Sequence, residues 1–355
     1  MNPQIVLAKD AILKSVSDLE SATDLPQLRK RISSLRNRVL KARISRLSHP
    51  GTHQVTISRQ FLTNELDQIA HSQTLERANY YLARLRIALT TEKTNAINDL
   101  NLRRWKEYTD IWTDSLWLVS KRDSSAGHSA WYWGNFIPQI PNQLLRRYTK
   151  QGDWVLDPFA GSGTTLLECI RLNRNGLGIE LNRAVAAKTS AILNNKRDIG
   201  KGVSRIEIGD STKFDIRKSL KKYGRNSVQL VLIHPPYHDI IRFSKSRLDL
   251  SNAPSTKRFL QLLGKVVENA LQILDRGRFL VLVIGDKYSK REWTPLGFLS
   301  MSEVLKHNCA LKSIVVKNFD HTAGKRKHEA LWRYRALAGG FYVFKHEYIF
   351  IFQKR

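Results

Sequence analysis

Acidic residues are scarce in this 355-residue sequence. Asp and Glu number 31 against 59 Lys and Arg, for a formal net charge of +28. So unbalanced a chain repels itself unless a polyanion or an anionic surface is its normal partner, and nucleic acid is the leading candidate. Cysteine is nearly absent. Cys169 and Cys309 stand far apart with no CxxC spacing, which excludes a disulfide framework and a zinc ribbon and leaves both as packing residues. Long apolar runs are missing, and the opening "MNPQIVLAKD" lacks the basic-then-apolar order of a signal peptide, so a cytoplasmic protein without a membrane partner is expected. No His/Asp/Glu set stands at metal-ligand spacing, so no metal is expected. With 42% hydrophobic and 25% charged residues, the chain can bury one large core, or an α/β domain with a smaller one attached.

Residues 1–125 read as a basic helical region, a DNA-binding or target-recognition part, with breaks at Pro26, His49–Gly51 and His71–Thr74. Leu28, Ile32, Leu35, Val39 and Ala42 form one apolar helical stripe. Eight Lys or Arg and no acid lie between Arg29 and Arg46, so this helix reads either as a surface for DNA phosphates or as a solvated face. No internal repeat is evident. From residue 126 to 355 short apolar runs alternate with Gly or Pro turns and helical segments, the order of a doubly wound, mostly parallel α/β sheet of seven strands. The strand candidates are "DWVLD", "GLGIEL", "VSRIEIGD", "VQLVLIHPP" and "RFLVLVIGD", then "SIVVKNF" and "HEYIFIFQK" as closing strands with no helix between them. Ligands of such sheets gather at the carboxyl ends of the strands.

The sharpest local signal is "VLDPFAGSGTTLLECIRLNRNGLGIELN" (Val155 to Asn182). A buried strand ends at Asp157, Gly161 and Gly163 let a ligand approach the backbone, and Thr164 and Thr165 open a helix whose free N–H groups favour an anion. Twenty-three residues after Asp157, Glu180 ends the next strand, where a carboxylate can accept from both ribose hydroxyls. A third dinucleotide-type glycine is lacking, since Leu166 stands there, and so is a P-loop Gly-Lys-Ser/Thr. NAD and ATP are therefore disfavoured.

These residues, together with "HPPY" (His234 to Tyr237), resemble the S-adenosylmethionine-dependent DNA amino-methyltransferases that modify adenine N6 or cytosine N4. The resemblance covers about residues 130 to 355 and implies a Rossmann-like methyltransferase sheet with S-adenosylmethionine as cofactor. Its cofactor loop corresponds to Asp157, Pro158, Phe159, Ala160, Gly161, Ser162, Gly163 and Thr164. Glu180 and Leu181 fall at the ribose position, and Asp210 and Ser211 near the adenine. "GNFIPQIPNQLLRRYT" resembles the segment that closes over the methionine end, with Phe136 and Pro138 as contacts. The cofactor half precedes the catalytic half, so members with the halves permuted are a poorer match.

An exocyclic amino nitrogen is a poor nucleophile because its lone pair is delocalised into the ring. A side-chain acceptor at the first motif position and the carbonyl of the first proline can each take one amino N–H and turn the lone pair towards the methyl donor. Here these are His234 and Pro235, with Pro236 stiffening the loop and Tyr237 stacking on the base. Stacking and edge recognition require a flipped base or single-stranded DNA. His238, Asp239, Asp249 and Asp286 also follow catalytic-half strands, where solvated or capping roles compete with function. In the basic insertion at 320–346, Lys325, Arg326, Lys327, Arg333 and Arg335 interleave with Trp332 and Tyr334, a mixture suited to a nucleic-acid groove. Trp117, Trp131, Tyr132 and Trp133 form a second aromatic group. The expected activity is site-specific DNA methylation in a bacterial or phage restriction-modification setting, which would bring a companion restriction endonuclease as partner. The competing readings are an RNA amino-methyltransferase and an inactive DNA-binding module of the same fold. His234 is the departure: related enzymes with Asp or Asn there are associated with adenine and those with Ser with cytosine.

Overall fold

The computed structural model describes residues 3–42, 53–125, 128, 131–196, 199–289, 292–318 and 329–355. The chain divides into two units, the first made of residues 1–96 and 100–111 and the second of 97–99 and 112–355.

The first unit carries β1 (Gln4–Ala8), α1 (Lys9–Glu20), α2 (Leu25–Lys41), β2 (Gln54–Ser58), α3 (Arg59–Ala70) and α4 (Leu75–Thr90), then a 3-10 turn over Leu102–Glu107. It is not purely helical, and it contains a repeat: a strand and two helices occur twice, offset by fifty residues. Caps fix the helix starts at equivalent places, with Asp24 accepting from the Gln27 N–H and Thr74 from the Arg77 N–H. The predicted stripe is real, since Leu28, Ile32, Leu35 and Val39 are buried. The arginines around it serve the unit itself. Arg29 donates to the carbonyls of Ala70 and Ser72, Arg31 to Ser21 Oγ, and Arg36 pairs with Asp67 at 2.7 Å.

The second unit carries β3 (Leu116–Trp117), α5 (Gln139–Tyr148), β4 (Trp154–Asp157), α6 (Thr164–Arg171), β5 (Asn175–Glu180), α7 (Arg183–Asn194), β6 (Ser204–Ile208), α8 (Ile216–Lys221) and β7 (Val228–Ile233). It continues with α9 (Thr256–Leu271), β8 (Leu274–Ile284), β9 (Lys287–Ser289), β10 (Glu292–Thr294), α10 (Leu296–Leu305), β11 (Cys309–Asn318), α11 (Glu329–Gly339) and β12 (His346–Lys354). One sheet runs β3-β11-β12-β8-β7-β4-β5-β6. The five strands from β8 to β6 are parallel, and β12 runs against both its neighbours. The seven expected strands are joined at the edge by the two-residue β3, parallel to β11. The two closing strands are separated by a helix after all, because α11 lies between them in sequence.

Both faces of the sheet are covered. Leu280, Leu282 and Ile284 of β8 pack with Phe259 and Leu263 of α9, whereas the alternate residues Val281 and Val283 pack with Ile140 and Leu144 of α5. The parallel strands read as continuous apolar runs for this reason, and their polar residues are held back to the carboxyl ends, beside the order reversal between β4 and β7. Among the described residues no helix is long and apolar enough to cross a membrane.

Candidate active site

A cleft of about 1040 Å³ opens at the carboxyl ends of β4, β5 and β7. One end is the turn after β4. Asp157, buried at the strand end, accepts the Phe159 N–H at 3.0 Å, and burial raises its carboxyl to about 6, with Glu180 adding to the rise. Gly161 (φ 48°) and Gly163 (φ 76°) sit in the left-handed region. A Cβ on Gly161 would stand 2.9 Å from the Tyr132 ring, and one on Gly163 would stand 2.7 Å from Thr189 Cγ2. The Glu180 carboxylate ties the turn to β5, accepting the Gly161 N–H at 3.0 Å and the Asn182 N–H at 2.8 Å, and burial raises its pKa too. Asp210 accepts from the Thr212 N–H and hydroxyl, and Ser211 Oγ donates to the Pro158 carbonyl at 2.6 Å.

The other end of the cleft is "HPPY", which leaves the tip of β7 so that His234, Pro235, Pro236 and Tyr237 all line it. The His234 ring meets Phe136 edge to face at 4.7 Å. Burial lowers the His234 imidazole to about 4, against the pull of Glu347. Tyr237 Oη donates to Glu347 Oε2 at 2.7 Å and lies 3.4 Å from His234 Nε2. Glu347 in turn pairs with Lys317 at 3.0 Å, and both side chains are almost wholly buried. Burial and the Glu347 carboxylate push the Tyr237 phenol well up. Gly285 makes room for its ring, since a Cβ there would stand 2.9 Å from Tyr237 Cε2.

Of the other residues named from sequence, Phe136, Pro158, Phe159, Ala160, Thr164 and Leu181 line the cleft. Pro138, Ser162 and Gly163 are absent from its wall. Pro138 caps the start of α5, Gly163 that of α6, and Ser162 is buried. His238 and Asp286 are also set aside from the cleft. His238 Nε2 faces the Ala253 carbonyl at 2.9 Å, and Asp286 accepts from the Gly297 N–H, Trp293 and Tyr348. Asp239 pairs with Lys287, whereas Asp249 does line the cleft, holding Ser244 Oγ at 2.7 Å. Lys325, Arg326 and Lys327 lie outside the described residues. Arg333 and Arg335 are exposed on α11; Arg335 sits over Trp332 at 5.4 Å, and Trp332 reaches the cleft wall.

Sequence reasoning missed Lys317, Glu347 and Phe243. Phe243 stacks on Tyr132 with ring centroids 5.7 Å apart, roofing the Gly161 turn. Lys317 and Glu347 are direct partners across β11 and β12, and opposite charges at the ends of two otherwise apolar strand runs were the available signal.

The "DNA methylase" family model matches residues 41–190, which contain the whole Asp157-to-Glu180 loop. Curated relatives agree. The chain is 29% identical over 144 residues to the Type II methyltransferase M.MthZI of Methanothermobacter thermautotrophicus, covering 38% of this chain and 39% of that protein. It is 45% identical over 51 residues to M.MjaII of Methanocaldococcus jannaschii (14% and 10%), and 39% identical over 82 residues to M2.DpnII of Streptococcus pneumoniae (22% and 27%), both also Type II methyltransferases. Over these residues the chain is similar to the DNA methylase family.

Its matches span between a tenth and about two fifths of the length of these relatives. The family match ends before His234, so it contains the Asp157-to-Glu180 turn and not "HPPY". A solved SAM-dependent methyltransferase from Methanosarcina mazei superimposes on 62% of this chain and 98% of its own with a TM-score of 0.39 and 13% identity; the fold itself rests on the strand order given above.

The chain's residues fit S-adenosylmethionine. Two carboxylates, Asp157 and Glu180, line one wall of the cleft, suited to a cationic ligand bearing a ribose. The helix N-terminus at Thr164 offers free N–H groups for a carboxylate, and the missing Cβ at Gly161 permits close approach.

Proposed function

We propose that this chain transfers a methyl group from S-adenosylmethionine to an exocyclic amino group of DNA, N4 of cytosine or N6 of adenine, in a bacterial or phage restriction-modification setting. The observation that carries the reading is that a single cleft holds the Asp157–Glu180 turn at one end and His234, Pro235 and Tyr237 at the other. Relatives named as Type II methyltransferases support the setting.

The cofactor would supply an electrophilic methyl group on a sulfonium. Asp157 and Glu180 hold it by charge and hydrogen bonding, and Tyr132 and Phe243 keep water from the turn. A target base enters between Tyr237 and the cleft wall, where His234 and the Pro235 carbonyl each accept one amino N–H. His234 can do so because burial holds it neutral at ordinary pH. Its tautomer is set from behind. The single Tyr237 hydroxyl hydrogen is given to Glu347, so Tyr237 Oη presents only lone pairs to His234 Nε2. Nε2 then carries the ring hydrogen, and Nδ1 is the acceptor. A carbon–nitrogen bond would form as the methyl carbon–sulfur bond breaks to leave a neutral thioether, and the amino nitrogen, made cationic, would have to lose a proton. An imidazole with a pKa near 4 passes that proton on to water rather than keeping it.

Tritium transfer from labelled cofactor to duplex DNA, compared with structured RNA, tests the reading. Label in DNA supports it. Label in RNA alone, or in neither despite cofactor binding, overturns it.

A further inference from the structure

The two halves of the first unit are copies of one another in their buried residues. Shifting by fifty positions maps Ile12 on Leu62, Val16 on Leu66, Leu19 on Ile69, Ile32 on Leu82, Leu35 on Leu85 and Val39 on Leu89, and all twelve are buried in one core. The strands obey the same symmetry. β1 and β2 pair antiparallel with Val6 opposite Thr56, and these two positions are each other's equivalents under the shift. Gln4 opposite Ser58 and Ala8 opposite Gln54 are then the same pair seen twice. A single chain has thus built what a two-fold dimer builds, a self-complementary two-stranded ribbon centred on an approximate dyad.

The ribbon has two faces. Ile5, Leu7, Val55 and Ile57 point to the helices and join their core. Gln4, Val6, Ala8, Gln54, Thr56 and Ser58 occupy the other face, because successive strand residues alternate. Ala8 and Gln54 are exposed, Gln4, Val6 and Thr56 are partly so, and Ser58 is buried, its Oγ capping α3. The outer edge of β2 is closed by the 3-10 turn of the same unit, with the Ser58 N–H donating to Glu107 at 2.9 Å and Arg104 donating to the Thr56 carbonyl at 2.6 Å.

We propose that this ribbon reads duplex DNA from the major groove, with Gln4 and Gln54 as symmetry-related base readers. The proposal rests on the DNA reading above and names the surface that would choose the target. A major groove admits a two-stranded β-ribbon. The face offered is low and uncharged at its centre, through Val6 and Ala8, with the Thr56 hydroxyl buried, so it can approach base edges closely there. A glutamine stands at each dyad-related end, and glutamine is the side chain that bonds adenine N6 and N7 together. The unit is basic, with 18 Lys and Arg against 10 Asp and Glu, and Lys9 follows β1 directly, suited to phosphates flanking the groove. The dyad gives the proposal a signature: the preferred site carries adenine at two positions related by a two-fold axis, on opposite strands.

The test is selection from a pool of random duplexes by the full chain without cofactor, for the unaltered protein and for Gln4→Thr/Gln54→Thr, with circular dichroism to show that both fold. Threonine keeps the strand propensity. The unaltered chain should enrich a dyad-symmetric pair of adenines, and the variant should lose preference at both, with affinity for the selected site tenfold or more weaker and affinity for unselected DNA within about threefold. An unchanged motif in the variant would overturn the proposal, as would enrichment without dyad symmetry. A variant whose only change is loss of dimer mass in light scattering would assign the ribbon to a second copy and overturn it too. Because no methyl transfer is read, a chain that binds with this signature yet fails to methylate DNA would count against the catalytic reading and not against the ribbon.

Discussion

Tyr237 and Glu347 are joined by a 2.7 Å hydrogen bond in which the phenol donates and the carboxylate accepts. They stand 110 positions apart, on the loop after β7 and on β12, and the bond makes the Tyr237 ring part of a buried polar chain that includes Lys317. A chain of this kind fixes the Tyr237 ring and the His234 tautomer only while every member is present.

Replacing Glu347 with Leu should lower kcat about tenfold, the effect of losing one orienting hydrogen bond of about 1.4 kcal/mol. It should also destabilise the fold by about 3 kcal/mol, because the buried ion pair with Lys317 is broken. Adding Lys317→Met should return most of the stability and none of the rate. Thermal melts and single-turnover rates on the unaltered chain and the two variants check this.

Acid should separate two groups. His234 is held near 4 by burial, below the unfolded value of about 6.5, so the acceptor stays neutral as pH falls and kcat at saturating cofactor should be flat from pH 8 to about 5.5. A fall in kcat centred near 6.5 would contradict the buried setting of the ring. The same shift has a stability consequence. The unfolded chain takes up a proton at 6.5 that the folded site refuses, so stability declines as pH drops below 6.5 towards 4.

Asp157 behaves in the opposite sense. Its carboxyl is raised to about 6, so below that pH it loses the charge that attracts a cationic cofactor, and KM for the cofactor should rise while kcat holds. The raised pKa also means that the ionised group weighs against folding, by up to about 3 kcal/mol above pH 6. Asp157→Asn should therefore raise the melting temperature of the ligand-free chain at pH 8 and abolish its stabilisation by cofactor, a trade of function for stability.

Gly285→Ala should slow methyl transfer without unfolding the chain. The new methyl would stand 2.9 Å from the Tyr237 ring, so the ring must shift, while Gly285 itself has no left-handed φ to strain. Cofactor affinity by calorimetry should stay within about twofold, since the turn at Gly161 is untouched, and kcat should fall by tenfold or more.

Much of the fold and one end of the candidate cleft was legible because the information is local. Asp157, Gly161, Gly163 and Glu180 fall within one βαβ stretch, and each apolar run ending in a polar residue became a parallel strand. What stayed hidden depends on pairing across long separations. Lys317 and Glu347 look like ordinary strand-end charges until β11 and β12 align them. α11 was missed because its basic and aromatic composition resembles a loop as much as a helix. The fifty-residue repeat escaped because its halves conserve where apolar residues stand and hardly any identities, as Val16 on Leu66 and Ile32 on Leu82 show. The charge run of α2 left a DNA surface and a solvated face both open in the sequence, and Arg29, Arg31 and Arg36 bond within their own unit.

The central claim is most directly tested by mass spectrometry of nucleosides from duplex DNA incubated with the full chain and methyl-labelled S-adenosylmethionine, beside His234→Ala/Tyr237→Ala. The account predicts labelled N4-methylcytosine or N6-methyladenine with the unaltered chain, and a loss of a hundredfold or more in the double variant. Label on a ring carbon, or amino methylation that persists unchanged in that variant, would contradict it.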